Sequence, residues 1–162
     1  MPPKPKRSRR PEVAVRPATL ADLEVLVRFN AAIAKETEGR NLAMKRLRKG
    51  TRAVLESSER GFYLVAETNS VVVGQLFVTY EWSDWRNGVF WWIQSVYVAP
   101  AVRGRGVYRA LHARVLRDAR AHGGVCGLRL YVEKENEAAQ EAYTRLGMTV
   151  TPYRVYEQDF VL

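Results

Sequence analysis

Residues 96–111 read VYVAPAVRGRGVYRAL, and this stretch decides the fold. It begins inside an apolar run, Val89 to Val98, and leads into Val107, Leu111, Val115 and Ala119, which recur at helical spacing. It is therefore a strand-to-helix junction. A helix start presents N–H groups without intrahelical acceptors and a partial positive charge, which together suit anions. Gly104 and Gly106 let the backbone approach a phosphate closely. Arg103 and Arg105 add cationic forks. On these residues alone, a phosphate cradle and a basic turn that merely caps a helix stand equally open. A P-loop is excluded, because no G-x-x-x-x-G-K-[ST] occurs. A dinucleotide fingerprint is unsupported too, because no G-x-G-x-x-G follows the first strand with an acid about twenty residues on.

Outward from the junction, the chain alternates strand and helix signals. Val13 to Arg16 reads as a strand, and Thr19 precedes an amphipathic helix through Leu23, Leu26, Val27, Ala31 and Ala34, with Asp22 three residues after the cap. KETEGRN at 35–41 breaks that pattern, and a second helix is predicted over Leu42 to Leu55. FYLVAE and VVVGQLFVTYEW are strands around a TNS turn, and Asn87-Gly88 predicts a two-residue hairpin into the next strand. That strand, VFWWIQSVYV, is apolar nearly throughout and so is expected at the centre of the sheet, covered on both faces. HGG at 122–124 ends the helix after the junction. CGLRLYVE at 126–133 reads as a further buried strand, NEAAQEAYTRLG as a short helix stopped by Gly147, and VTPYRVYEQDFVL as one or two final strands. The order is β-α-α-β-β-β-α-β-α-β. Hairpins imply an antiparallel portion, and strand-helix-strand from Trp91 to Val132 implies a parallel crossover. The fold class is α+β: a mixed central sheet with helices on both faces.

Composition bounds the function. The chain has 162 residues, 47% apolar or aromatic and 27% charged, ordinary for a single globular domain. The formal charge is +9, and five cations (Lys4, Lys6, Arg7, Arg9, Arg10) lie in residues 1–11, which hold no acid. That stretch has four prolines and reads as a disordered basic tail, with residues 12–162 as one domain. A nucleic-acid-associated role would rest on the tail, but no aromatics interleave with its charges to stack on bases. No apolar run approaches the roughly 20 residues of a membrane span, and no secretory signal is visible, so a cytoplasmic location is the expectation. One cysteine, Cys126, excludes an internal disulfide and a multi-cysteine metal site. Nothing suggests a metal.

VYVAPAVRGRGVYRAL resembles motif A of the GCN5-related N-acetyltransferases (GNAT), a strand ending V-x-P followed by Q/R-x-x-G-x-G/A opening a helix. Arg103 and Gly106 match, whereas Tyr108 departs from the final small residue. NEAAQEAYTRLGM at 136–148 resembles the family's N-x-x-A-x-x-x-Y-x-x-x-G-F through Asn136, Ala139, Tyr143 and Gly147, with Met148 replacing the aromatic. The resemblance covers roughly residues 12–158, and the element order matches. It implies acetyl-CoA as donor. Backbone N–H groups of Arg103, Gly104, Arg105, Gly106, Val107 and Tyr108 would then hold the pyrophosphate. The pantetheine arm would lie between strands ending at Val98 and Val132, pairing with Val96, Tyr97 and Val98, with Asn136 helping to position it. The resemblance also makes Tyr143 the general acid toward the coenzyme sulfur. Many relatives carry a glutamate four residues before the final valine, and here that residue is Gln94, which cannot act as a base.

Amine acetylation needs a neutral amine, donors for the carbonyl oxygen as it gains charge, a proton for the leaving sulfur, and attack geometry. A backbone N–H near Val96 is the expected donor to the oxygen. Glu81 and Glu36 are the leading candidate bases, with Glu38 and Asp84 also near, and a water relay or an amine already neutral are alternatives. Tyr80, Trp82, Trp85, Phe90, Trp91 and Trp92 cluster around one hairpin. They read either as cross-strand packing or as an aromatic wall for a cationic amine. The stretch is also similar to the polyamine and thialysine acetyltransferase branch, which keeps two acids where this chain has Gln94 and Ser95. The expected acceptor is therefore a small primary amine or an amino-acid-like one, bound by Tyr80, Trp82, Asp84, Trp85 and Gln94. A non-catalytic acetyl-CoA-binding module and a protein or peptide N-acetyltransferase are the alternatives. The apolar stretch VYEQDFVL offers an edge for a homodimer by analogy with such folds.

Overall fold

Alternation along the strands sorts side chains onto two faces. On strand β2 (Phe62–Thr68), Phe62, Leu64 and Ala66 face one way, Tyr63 and Val65 the other, as a period of two requires. The computed structural model describes residues 12–161; the basic stretch 1–11 lies outside them. By its internal contacts the chain divides into two compact units, Met1–Leu130 and Tyr131–Leu162.

The first unit holds a five-stranded sheet in the order β1-β2-β3-β4-β5, with β1 at Ala14–Pro17, β3 at Val71–Ser83, β4 at Gly88–Val98 and β5 at Val125–Arg129. Every neighbouring pair is antiparallel except β4 with β5. Helix α3 (Val107–Ala121) packs on one face, where its predicted stripe Val107, Leu111, Val115 and Ala119 is buried against Leu64, Ala66, Leu76, Val78, Trp91 and Ile93. Helices α1 (Leu23–Glu38) and α2 (Met44–Leu55) cover the other face, around Leu26, Tyr63 and Val65. Gly74 admits α3 this close: a Cβ there would come within 3.0 Å of Val107 and of the Tyr97 carbonyl.

Asn69 and Ser70 both adopt positive φ (51° and 61°) and close the β2–β3 hairpin between the paired Thr68 and Val71, the backbone that a two-residue turn of primed type needs. The β3–β4 hairpin differs from expectation. Ser83 pairs with Gly88, so four residues, Asp84 to Asn87, form the loop. Asn87 alone among them takes a positive φ, 45°, and the Asp84 carboxylate accepts from the Trp85 N–H at 2.9 Å, which stabilises the longer turn. KETE also continues α1 to Glu38, and Gly39 ends it at φ 65°; helix propensity of lysine and glutamate overrides the loss of apolar periodicity.

The second unit contains helix α4 (Glu137–Arg145). The Asn136 side chain caps its start by accepting from Ala139 N–H at 3.1 Å. Its end is a Schellman motif, with Met148 N–H on the Tyr143 carbonyl, Gly147 N–H on that of Thr144, and Gly147 at φ 87°. Two expectations fail here. CGLRLYVE stops being a strand at Arg129, and the residues after Gly147 form no strand among those described. Pro152 lacks an N–H for a ladder. Val150, Tyr156 and Phe160 are each more than four-fifths exposed, so the segment buries little apolar surface to offset the entropy of ordering it.

The start of α1 is fixed by an ionic knot. Arg16 on β1 donates to both carboxylate oxygens of Asp22 (2.8 and 2.9 Å) and to Glu67 on β2 (2.6 Å), and Asp22 also accepts from the Thr19 N–H. The hydrogen bonds from Arg16 hold the Asp22 carboxyl below its ordinary pKa despite burial. A carboxyl whose folded pKa is depressed stabilises the fold fully above its unfolded value, about 3.9, and loses that contribution as pH falls through the folded value. Asp22→Asn is expected to cost about 1.5–3 kcal/mol at pH 7. Urea denaturation should show the gap to wild type shrinking below pH ~4.

Candidate functional site

Strand β4 is longer than its parallel partner. Val89 to Trp92 pair with Val125 to Arg129, and Trp92 opposite Arg129 is the last rung. Past it, Ile93 to Val98 have β3 on one side and no β5 residue on the other. Two hydrogen bonds set which backbone groups point to the uncovered edge. Val89 N–H reaches the Gly124 carbonyl on the β5 side, and Ala99 N–H reaches the Val73 carbonyl on the β3 side, each at 2.8 Å. Counting back from Ala99, Val98 and Val96 turn their N–H groups to the open edge, and Tyr97 turns its own toward β3.

A bulge makes this arrangement possible. Phe77 pairs with Ser95 and Val78 with Ile93, leaving Gln94 as the extra residue. Ahead of it Val89, Trp91 and Ile93 face α3; beyond it Val96 and Val98 do. The extra residue reverses the parity. Gln94 sits on the opposite face, its Nε2 donating to Thr79 Oγ1 at 2.7 Å.

The open edge leads to the glycine turn. A 3-10 turn, Pro100–Val102, follows β4. Gly104 (φ 72°) and Gly106 (φ 87°) then adopt left-handed backbone, and Gly106 caps α3. A Cβ on either glycine would meet nothing within 4 Å, so the space above this turn is open to a ligand. The first N–H to close onto α3 belongs to Ala110, on the Gly106 carbonyl; those of Val107, Tyr108 and Arg109 precede it. The Val107 side chain is buried, and the Tyr108 ring packs on the core 6.0 Å from that of His112. The tyrosine that departs from the motif therefore keeps its ring off the turn. Residues present thus fit a diphosphate, with backbone donors at a helix N-terminus and space in front of them.

The arginine expected to grip that phosphate is turned elsewhere. Arg103 Nε donates to the Val98 carbonyl at 2.9 Å, and Nη2 to Glu36 Oε2 at 2.7 Å. Its guanidinium lies 5.6 Å from the Tyr97 ring centroid, and the Tyr97 hydroxyl donates to the other Glu36 oxygen at 3.4 Å. Burial, with Glu36 adding to it, raises the Tyr97 pKa. Arg105 is exposed.

Glu81 is equally engaged. Its Oε1 accepts from Arg129 Nη1 at 2.5 Å and its Oε2 from Trp92 Nε1 at 2.6 Å. Neither candidate base therefore presents an uncommitted carboxylate, and Asp84 serves its own turn. The aromatic cluster is divided between faces. Tyr80 packs 6.4 Å from Trp91 and 6.3 Å from Phe62 on the α3 face, whereas Phe90, Trp92 and Glu81 lie on the other. Trp82 and Trp85 stand exposed near the hairpin tip, Trp85 at 87%. Cross-strand packing accounts for Tyr80 and Trp91, so these aromatics form no single wall.

In the second unit, Tyr143 lies in the last turn of α4, and burial raises the pKa of its phenol, which keeps the proton on it at neutral pH. Asn136 spends its side-chain oxygen on the α4 cap. Arg129, which pairs with Glu81 here, has no role that the sequence pattern alone assigns. Its signal was a lone cation within the apolar run CGLRLYV. Among the described residues no cluster of three His, Cys, Asp or Glu could hold a metal, and no helix is long and apolar enough to cross a membrane.

Comparison with known proteins agrees with this geometry. The chain belongs to the acetyltransferase (GNAT) family, whose profile matches residues 29–148. It is 41% identical to a possible acetyltransferase from Clostridium difficile 630 whose crystal structure superposes with a TM-score of 0.85, covering 93% of this chain and 99% of that one. An L-methionine sulfoximine/L-methionine sulfone acetyltransferase of Salmonella typhimurium is 37% identical over 94 residues, 54% of this chain. The chain spans about half the length of that relative, 50%. At 17% identity, an aminoglycoside N-acetyltransferase solved in complex with CoA shares the fold, with a TM-score of 0.76 over 94% of this chain and 98% of that one.

The positive φ of Gly106 gives a direct test of the turn. Gly106→Ala adds no clash, so its cost should be the left-handed strain alone, about 1–2 kcal/mol. Denaturant titration of variant and wild type measures it.

Proposed function

We propose that this protein is a cytoplasmic N-acetyltransferase that moves an acetyl group from acetyl-CoA to a small primary amine, amino-acid-like in character. The observation that carries this reading is the uncovered β4 edge running up to the left-handed glycine turn at the N-terminus of α3. The edge offers Val96 and Val98 N–H groups to an extended amide-bearing arm. The turn offers the N–H groups of Gly104, Gly106, Val107 and Tyr108 and the α3 dipole to a diphosphate; those of Arg103 and Arg105, expected to join them, bond instead to the Pro100 and Val102 carbonyls at 3.3 and 3.4 Å. Coenzyme A is a molecule with those two parts in that order. The name of the Salmonella relative, an L-methionine sulfoximine/L-methionine sulfone acetyltransferase, supports an amino-acid-like acceptor.

Bound acetyl-CoA supplies the activated thioester. The chain's own groups do the rest. Val96 N–H, on the open edge beside the bulge, would donate to the acyl oxygen as charge develops on it. The resemblance to the family motif gives Tyr143, whose phenol pKa is raised by burial, the role of supplying a proton to the leaving sulfur. The acceptor amine loses its proton to water, because Glu36 and Glu81 are each committed to an arginine.

The primary test is thiol release from acetyl-CoA with a panel of amines. Release with small primary amines is the expected result. Stabilisation by acetyl-CoA in thermal unfolding with no release for any amine would leave only a non-catalytic binding module. Gly106→Val should raise the CoA dissociation constant at least tenfold in a protein that still unfolds cooperatively; unchanged affinity would move the phosphate site elsewhere.

Tyr143→Phe should lower kcat by about 100-fold or more while leaving the KM for acetyl-CoA near wild type. With Glu36 and Glu81 each held by an arginine, log(kcat/KM) should climb with unit slope toward the acceptor amine's own pKa. A plateau already reached by pH 6 would restore a glutamate to the role of base.

A further inference from the structure

The uncovered edge has a direction. Its phosphate end is the Gly106 turn, and its closed end is the rung where Trp92 meets Arg129. An arm anchored at the turn therefore carries its reactive end toward that rung. On the sheet face opposite α3, the side chains there are Gln94, Thr79, Trp92, Glu81, Phe90 and Arg129. Trp92 lies two residues from the bulge, ~7 Å at about 3.3 Å per residue. Helix α1 covers the other end of this face instead, through Phe29 on Tyr97 and Asn30 on Gln75.

We propose that Arg129 is the acceptor's carboxylate-binding residue, and that the acceptor is an amine bearing a carboxylate. The proposal rests on the acetyltransferase reading above. Arg129 is held in place from two sides. Its guanidinium stacks on the buried Phe90 ring, 3.7 Å from the centroid, and its Nη1 is fixed by Glu81, which Trp92 Nε1 fixes in turn. One Nη1 bond leaves the remaining donors of the planar fork for a second carboxylate, and the side chain keeps 30% of its surface exposed. Stacking and pairing restrict its rotamers, so binding an anion costs little further ordering. The patch carries one anion, Glu81, and two cations, Arg129 and Arg86, whose guanidinium lies 5.0 Å from the Phe90 centroid. That net positive charge favours an acceptor with a carboxylate, which can lie toward Arg129 while its amine lies toward Glu81. A polyamine meets the Arg129 charge as repulsion, which excludes it by electrostatics.

The test compares L-methionine sulfone with its decarboxylated amine, 3-(methylsulfonyl)propylamine, with kcat/KM expressed per neutral amine because loss of the carboxylate also raises the amine pKa. Wild type should favour the amino acid by at least tenfold in kcat/KM, with the difference in KM. Arg129→Met should reduce kcat/KM for the amino acid by about 10–100-fold and leave the decarboxylated amine within threefold; Arg129→Lys should recover part of the loss. Equal losses on both acceptors would make Arg129 a structural partner of Glu81 and overturn the assignment. If Arg129→Met fails to fold, wild type alone decides: equal use of both acceptors overturns the proposal while leaving the acetyltransferase reading intact. Thiol release with neither acceptor, nor with any amine of the panel, would overturn both.

Discussion

The separation of β4 from β5 beyond Trp92 is the constraint on which the site depends. A central strand ordinarily has both edges paired, and unpaired backbone groups are costly unless water or a ligand meets them. Here six residues of the most apolar strand keep one edge free. The Gln94 bulge reconciles that exposure with a filled core. It lets Val96 and Val98 keep their side chains under α3 while their N–H groups turn outward. Without the extra residue, Val96 and Val98 would face away from α3, and the core or the edge would be lost.

Charge is arranged around this edge in two ion pairs drawn from distant parts of the chain. Glu36 on α1 holds Arg103 and through it reaches the Val98 carbonyl. Glu81 on β3 holds Arg129 at the closed end. Each pair is partly solvated, so its own contribution to stability is small. Their effect is positional: they fix where two guanidinium groups stand at the two ends of the open edge. Acyl transfer by direct attack depends on such positioning more than on a strong base, because an amine that has lost its proton is already a good nucleophile.

Much of this was legible from local pattern. The Val107, Leu111, Val115 and Ala119 stripe, the left-handed glycines and the Asn69-Ser70 turn each follow from rules acting within a few residues. Expectations failed where a neighbour in space decided the outcome. Glu81 read as an available base until Arg129 and Trp92 took both of its oxygens. The hairpin aromatics read as one wall until alternation divided them between faces. The final strands read from VTPYRVYEQDFVL had β-type residues, but propensity is outweighed where a segment finds no partner to pack on.

The sequence by itself determined the family, the element order as far as α4, and the backbone freedom at Gly104 and Gly106. These are properties of short stretches, fixed by periodicity and by the one residue without a Cβ. Tertiary structure alone decided which N–H groups face the open edge, since that depends on where one bulge falls in the pairing of two strands. It alone decided the partners of Arg103 and Arg129 too. An ion pair between residues 67 or 48 positions apart leaves no trace in spacing, because only the folded sheet brings those side chains within hydrogen-bond reach.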